Sequence, residues 1–134
     1  MISTILIQTK RQGLYEFTNK AQQIVVNSNL TEGLATFYVQ HTSASLLIQE
    51  NADRAVINDL QNWFNRLAPE GDNLYTHTSE GADDMPAHIK SALTQTSISI
   101  PIINGKLALG VWQGIFLFEH RTRNHSRKII VHIL

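Results

Sequence analysis

The links between this chain's apolar segments are too short for a parallel sheet. Residues 2–8 (ISTILIQ) and 13–18 (GLYEFT) are separated only by a polar turn, Thr9 to Gln12. Residues 34–41 (LATFYVQH) and 44–49 (ASLLIQ) flank Thr42-Ser43, and 97–103 and 106–109 flank Asn104-Gly105. A parallel pair needs a crossover of about a dozen residues or more. These neighbours therefore read as antiparallel strands, and Asn-Gly is the pair favoured in a type I′ hairpin. Pro101 within one arm marks an edge strand or a bulge. Residues 111–119 and 129–134 supply two further strands.

Three helices fall between the strands. The first runs from a Thr18 cap to about Asn29, with Ala21, Ile24 and Val25 at helical spacing. The second, about 53–67, carries Val56, Leu60, Trp63 and Leu67 on one stripe, with Asn51 or Asp53 as its cap. The third, about 85–94, follows Asp83-Asp84, read as a cap plus a favourable charge at a helix start. The long polar segment Ala68–Gly81 before it reads as a functional loop. The expectation is an α+β protein with a mainly antiparallel sheet pair and helices outside, a single domain over residues 1–134.

Composition narrows the function classes. The 134 residues contain no cysteine, which excludes disulfide scaffolds, thiol redox chemistry and cysteine nucleophiles. Eleven basic residues balance eleven acidic ones, whereas a general nucleic-acid binder is strongly basic, so no nucleic-acid partner is expected. No apolar run approaches a bilayer span and no signal peptide is evident, so the expectation is a soluble, cytoplasmic protein without a membrane partner. The neutral total hides an asymmetry. Residues 50–84 hold eight acids and two bases, while Arg121, Arg123, Arg127 and Lys128 cluster near the C-terminus. Such a chain presents either two solvated surfaces of opposite sign or a cation-friendly region facing an anion-friendly one.

Six histidines without cysteine invite a metal hypothesis. His41 continues the inward face of Phe37 and Val39 at a strand end, and His77 lies in the acidic loop. His88 sits in the first turn of the third helix, where the helix dipole disfavours imidazolium. His120 follows Phe116 and Phe118 on one strand face. Imidazoles converging from separate elements suit zinc with an open position, although no histidine pair has the spacing of a short helical metal motif. Glu50 and Glu119 lie in line with apolar strand faces and need a partner, which arginine, a metal or a histidine can supply. Arg121, just past Glu119, is a candidate to hold a phosphate group, against the alternative of a solvated basic turn.

The strings HTSASLLIQENAD (41–53), DNLYTHTSEGADDMPAHIKSAL (72–93), IPIINGKLALGVWQGIFLFEHR (100–121) and SRKIIVHI (126–133) resemble the YjbQ-like family, often named secondary thiamine-phosphate synthase. The resemblance covers essentially the whole chain. Val111 departs from it, standing where the family commonly has Thr or Ser. It implies a β-sandwich, jelly-roll-like core with flanking helices, assembled as a homotrimer. It also implies a polar pocket near His41-Thr42-Ser43, Tyr75 with His77, and Asp83 to Lys90, with a divalent metal ion, zinc or magnesium. The implied activity is that of a thiamine-phosphate synthase-like transferase, joining a hydroxymethylpyrimidine diphosphate to a thiazole phosphate with release of pyrophosphate. The alternatives are a metal-dependent hydrolase of a small phosphorylated metabolite and a non-catalytic trimeric module binding a metabolite or metal. The candidate site then comprises Glu50, Asp84 and Glu119 as catalytic carboxylates. Thr42, Ser43, Trp112, Gln113 and Arg121 are candidates for binding a phosphorylated small molecule, and His41, His77, His88 and His120 for holding the metal.

Overall fold

The structure, a computed structural model, describes all 134 residues. In chain order it comprises β1 (Ile2–Thr9), β2 (Gly13–Glu16), α1 (Thr18–Ser28), β3 (Glu32–Val39), β4 (Ala44–Glu50), α2 (Arg54–Leu67) and α3 (Asp84–Leu93). There follow β5 (Ser97–Ile103), β6 (Lys106–Leu107), β7 (Gln113–Glu119) and β8 (His125–Ile133). Five strands form one sheet in the order β1-β8-β3-β5-β6, and three form a second in the order β2-β7-β4. Every strand pair is antiparallel. The chain is thus an α+β protein with antiparallel sheets and three helices, as the short connections require. None of its helices is long and apolar enough to cross a membrane.

Alternation sets the layers. Phe37 and Val39 of β3 and Ile129, Val131 and Ile133 of β8 face inward from the larger sheet. They meet Leu46 of β4 and Ile115 and Leu117 of β7 from the smaller one. Burying each side chain of this size contributes roughly 1.5–3 kcal/mol. Phe17, Ala21 and Val25 of the α1 segment complete this core, with the Phe17 ring set edge-on to Phe37 at 6.0 Å. The other face of β7 carries Phe116, Phe118 and then His120, and α2 covers it by placing Phe64 edge-on against Phe118 at 5.3 Å. With both faces covered, β7 reads as the near-continuous apolar run IFLF.

Local chemistry explains the joins. Asn104 (φ 52°) and Gly105 (φ 74°) both take the positive φ that a type I′ hairpin demands. Asp53 caps α2, accepting a hydrogen bond from the Ala55 N–H at 2.9 Å. Pro101 is tolerated in β5 because the β6 ladder reaches only Ile102 and Ile103, and beyond it Pro101 serves as an acceptor alone, its carbonyl taking the Ala108 N–H at 2.8 Å. Three expectations are corrected. Thr18 does not cap α1: Phe17 takes the cap position with no side-chain capping bond, and the Thr18 hydroxyl instead donates to Glu16 Oε2 at 2.7 Å and accepts the Ile115 N–H at 2.9 Å. Asp83 precedes α3 but makes no capping bond, because its carboxylate is taken by groups after β7. And β8 begins at His125 rather than Ile129, so Arg127 lies within a strand, opposite Ile7 and on the same face as Ile129, and is 4% exposed.

Candidate functional site

Three side chains converge at the start of α3. Asp84 and His88 stand one turn apart on that helix, and His77 reaches them from the preceding loop. His77 Nε2 lies 2.7 Å and His88 Nε2 3.1 Å from the same oxygen, Asp84 Oδ2. The two imidazole rings are tilted edge-on at 5.4 Å. The other oxygen, Asp84 Oδ1, accepts from Arg121 Nη1 at 2.8 Å. Burial by itself would raise the Asp84 pKa, but His77's hydrogen bond, the Arg121 charge and His88 outweigh it and hold the carboxyl below its usual range. The carboxylate is thereby kept ionised and fixed in place.

Arg121 is the brace of this arrangement. Its Nε donates to Asp83 Oδ2 at 2.9 Å and its Nη2 to the Glu80 carbonyl at 2.9 Å. Asp83 Oδ2 also accepts from the Thr122 N–H at 2.9 Å. Burial pushes the Asp83 carboxyl upward, yet the Arg121 and Thr122 hydrogen bonds overcome this and bring it down to about 2. The acidic segment and the basic one thus meet here, so part of the charge asymmetry is an internal ion-pair network. Arg121, the candidate phosphate holder, is neither free for that role nor part of a solvated turn: three of its five N–H groups are committed to protein acceptors.

Beside His88 opens a cleft of about 690 Å³, lined among others by His41, Thr42, Ser43, Ser91 and Arg127. His41 Nε2 accepts from the Lys128 N–H at 2.9 Å, so that nitrogen is engaged and the proton belongs on Nδ1. Burial and then the Arg127 charge push the His41 pKa down. Arg127 passes beneath the cleft, donating to Ser43 Oγ at 3.0 Å and to both carboxylate oxygens of Glu119. Thr9 Oγ1 donates to Glu119 Oε1 at 2.6 Å. Glu119 is fully buried. Burial would raise its pKa, but Arg127, Thr9 and the Arg121 N–H keep it low.

The remaining candidates lie apart. His77, Asp84 and His88 form a group whose ligand atoms all lie within 4.8 Å of one another, and neither His41 nor His120 belongs to it. His120 is 1% exposed on the outer face of β7, with Nε2 2.8 Å from Ser45 Oγ. Burial, with the Lys90 and Arg127 charges, brings its pKa down to about 3. Glu119 is held in an ion pair rather than turned toward the histidines. Glu50 lies opposite Gln113, while Ala44 lies opposite Glu119 at the other end of the same ladder. Six residues of strand separate the two ends, roughly 20 Å. Glu50, Gln113 and the exposed Trp112 therefore stand away from Ser43 and the histidine cluster within one chain.

Asp84, expected as a catalytic carboxylate, stands between two imidazoles and offers a third potential ligand atom. Two imidazole nitrogens and a carboxylate oxygen fit a first-row divalent metal with open positions. Bonds of about 2.0–2.2 Å from one ion place its ligands roughly 3–4 Å apart, so the observed spacing needs only small side-chain adjustment. The nitrogens that now donate to Asp84 are those that would turn to the ion.

Fold and cluster together define an antiparallel α+β protein with a two-histidine, one-carboxylate group at a helix start. The chain belongs to the family described as UPF0047 protein YjbQ-like, which matches residues 3–134. A UPF0047 protein of Synechocystis is 54% identical over 96% of this chain and 88% of its own length. The UPF0047 protein YjbQ of Escherichia coli O157:H7 is 41% identical over 95% of this chain and 92% of its own. The crystal structure of an uncharacterised conserved protein of this family from Clostridium acetobutylicum superposes with a TM-score of 0.91 at 34% identity, covering 98% of this chain and 99% of that one. These findings correct the expected activity. The relatives are named only as UPF0047 or uncharacterised proteins, so neither the thiamine-phosphate synthase-like transferase nor the hydrolase stands, and no specific function is supported.

Proposed function

We propose that this chain binds a divalent metal ion through His77 Nε2, Asp84 Oδ2 and His88 Nε2, and that a small anionic molecule approaches the ion from the cleft beside His88. The observation that carries this reading is the convergence of three donor atoms from two elements within 4.8 Å of one another. The donor set favours zinc over magnesium, because magnesium prefers an all-oxygen, largely hydrated shell and imidazole suits zinc. When bound, such an ion supplies Lewis-acid polarisation of an oxygen ligand. The chain's own residues do the positioning. Arg121 fixes Asp84 through Oδ1 and leaves Oδ2 to face the histidines. His41, Thr42 and Ser43 line the approach with polar groups that suit a phosphorylated or carboxylated ligand.

The same reading includes assembly as a homotrimer. Supporting it, α2 leaves Trp63 50% and Leu67 47% exposed on its apolar stripe, the kind of surface that assembly covers. The number three comes from the family resemblance. Elemental analysis of purified wild type, His77→Ala and His88→Ala proteins after zinc loading and desalting tests the centre. One equivalent per chain in wild type and loss in both variants are expected, and unchanged content in both would remove the assignment. Light scattering at the 15.1 kDa of a single chain would remove the trimer.

A further inference from the structure

Behind α3 lies a second, more enclosed cavity of about 280 Å³. Lys90 and His120 both line it, with Gln12, Asn65, Asp83 and Glu70 around them. Lys90 stands about 200° around the helix from His88, given 3.6 residues per turn, so the cavity and the histidine cluster lie on opposite faces of α3.

Lys90 is 3% exposed, and its ammonium makes one hydrogen bond, to Asn65 Oδ1 at 2.7 Å. No carboxylate is within ion-pair distance of it. Two ammonium N–H groups are thus buried without a partner, an arrangement that is costly unless something answers the charge. His120 Nδ1 is likewise buried with no partner. Its protonation follows from the neighbouring hydroxyls. Thr94 Oγ1 has one proton and two acceptors in reach, Ser45 Oγ at 2.5 Å and the Lys90 carbonyl at 2.8 Å. When Thr94 donates to Ser45, the Ser45 hydroxyl donates to His120 Nε2, 2.8 Å away, and the imidazole proton stands on Nδ1.

We propose that this cavity is a binding site for a small oxyanion, a carboxylate or phosphate group held by the Lys90 ammonium and His120 Nδ1–H. The amides of Gln12 and Asn65 supply further polar contacts at its wall. Asp83 turns Oδ2 to Arg121 Nε and to the Thr122 N–H and hydroxyl, which offsets part of its repulsion of an anion. Glu70 is exposed, so water screens its charge. The site shares no donor atom with the metal centre, although Arg121 holds both Asp83 in its wall and Asp84 in the centre. It answers an unpaired buried cation that the centre does not use.

Calorimetric titration of the chelator-treated full chain with inorganic phosphate, and separately with acetate, tests it. Saturable binding of at least one anion is expected, weakened at least tenfold in Lys90→Met. Acetate binding as well as phosphate would show that a carboxylate suffices, and phosphate alone would define a phosphate site. Nitrogen-15 spectra of wild type provide a second reading that does not depend on the variant folding. The His120 Nδ1 resonance should report the Nδ1–H tautomer and move with the same saturation curve. Absence of heat and of any shift at millimolar anion would overturn the proposal, as would equal affinity in wild type and Lys90→Met.

Discussion

Arg127→Met should be among the most damaging single substitutions in this chain. The change keeps an unbranched side chain in the strand but removes the guanidinium that holds both oxygens of Glu119 and the Ser43 hydroxyl. Glu119, with no solvent exposure, would keep only the Thr9 hydroxyl at 2.6 Å and the Arg121 N–H at 3.1 Å. Stranding one member of a buried ion pair costs about 3–5 kcal/mol, against about 0–1 kcal/mol for an exposed pair. For a chain this long that corresponds to a fall in Tm of roughly 10–20 °C. The wild-type Glu119 pKa lies below its ordinary 4.5. Its contribution is therefore fully present above that value and lost as pH falls through the lower, folded value. Removing Arg127 removes a main cause of that depression, so the variant should lose less further stability on acidification. Urea and thermal denaturation at pH 7 and pH 4, followed by circular dichroism, measure both effects. The double variant Glu119→Leu/Arg127→Met should recover much of the loss, since no charge is left stranded. A single-variant loss below about 1 kcal/mol would refute the reasoning.

Burial of neutral His120 makes a separate contribution, whose sign follows from a folded pKa of about 3 against 6.5 unfolded. The unfolded chain binds this proton first, so stability falls as pH drops below 6.5, by about 2 kcal/mol by pH 5. A stability–pH curve for His120→Gln with the same slope as wild type would contradict it. Gly33→Ala should destabilise by about 1–3 kcal/mol, because a Cβ there would stand 2.5 Å from the Leu134 backbone oxygen, which the Leu34 N–H holds at 3.0 Å. Urea midpoints that coincide with wild type would count against this. Asp53→Ala should cost about 1 kcal/mol through loss of the α2 cap, and an unchanged midpoint would show that water replaces the cap without cost.

The parts of the fold legible in the sequence were those that local chemistry decides. Asn104-Gly105 names its hairpin because few other residue pairs accept two positive φ values, and Asp53 announces a cap three residues before Val56. Arg127 was legible in principle, since it alternates with Ile129, Val131 and Ile133, but the surrounding basic residues made the segment read as a turn. The α2 stripe was read correctly as a helix, yet only Phe64 beside it is buried, because periodicity shows a face without showing what covers it. In the site, residue types were visible and partnerships were not. Histidine–histidine spacings carry no helical metal motif, and the i, i+4 pair Asp84 and His88 looks in sequence like an ordinary helix start. Arg121 and Asp83, 38 positions apart, meet only through the fold. Lys90 is marked only by the resemblance, which runs the polar pocket from Asp83 to Lys90, since a lysine is by default solvated.

The central claim is that His77, Asp84 and His88 hold one metal ion. Anomalous X-ray scattering at the zinc edge, from crystals of zinc-loaded protein, locates such an ion directly. The account predicts one strong peak per chain, bounded by His77 Nε2, Asp84 Oδ2 and His88 Nε2. A peak held by other residues, or none at these three atoms in crystals whose solution carried zinc, would contradict it.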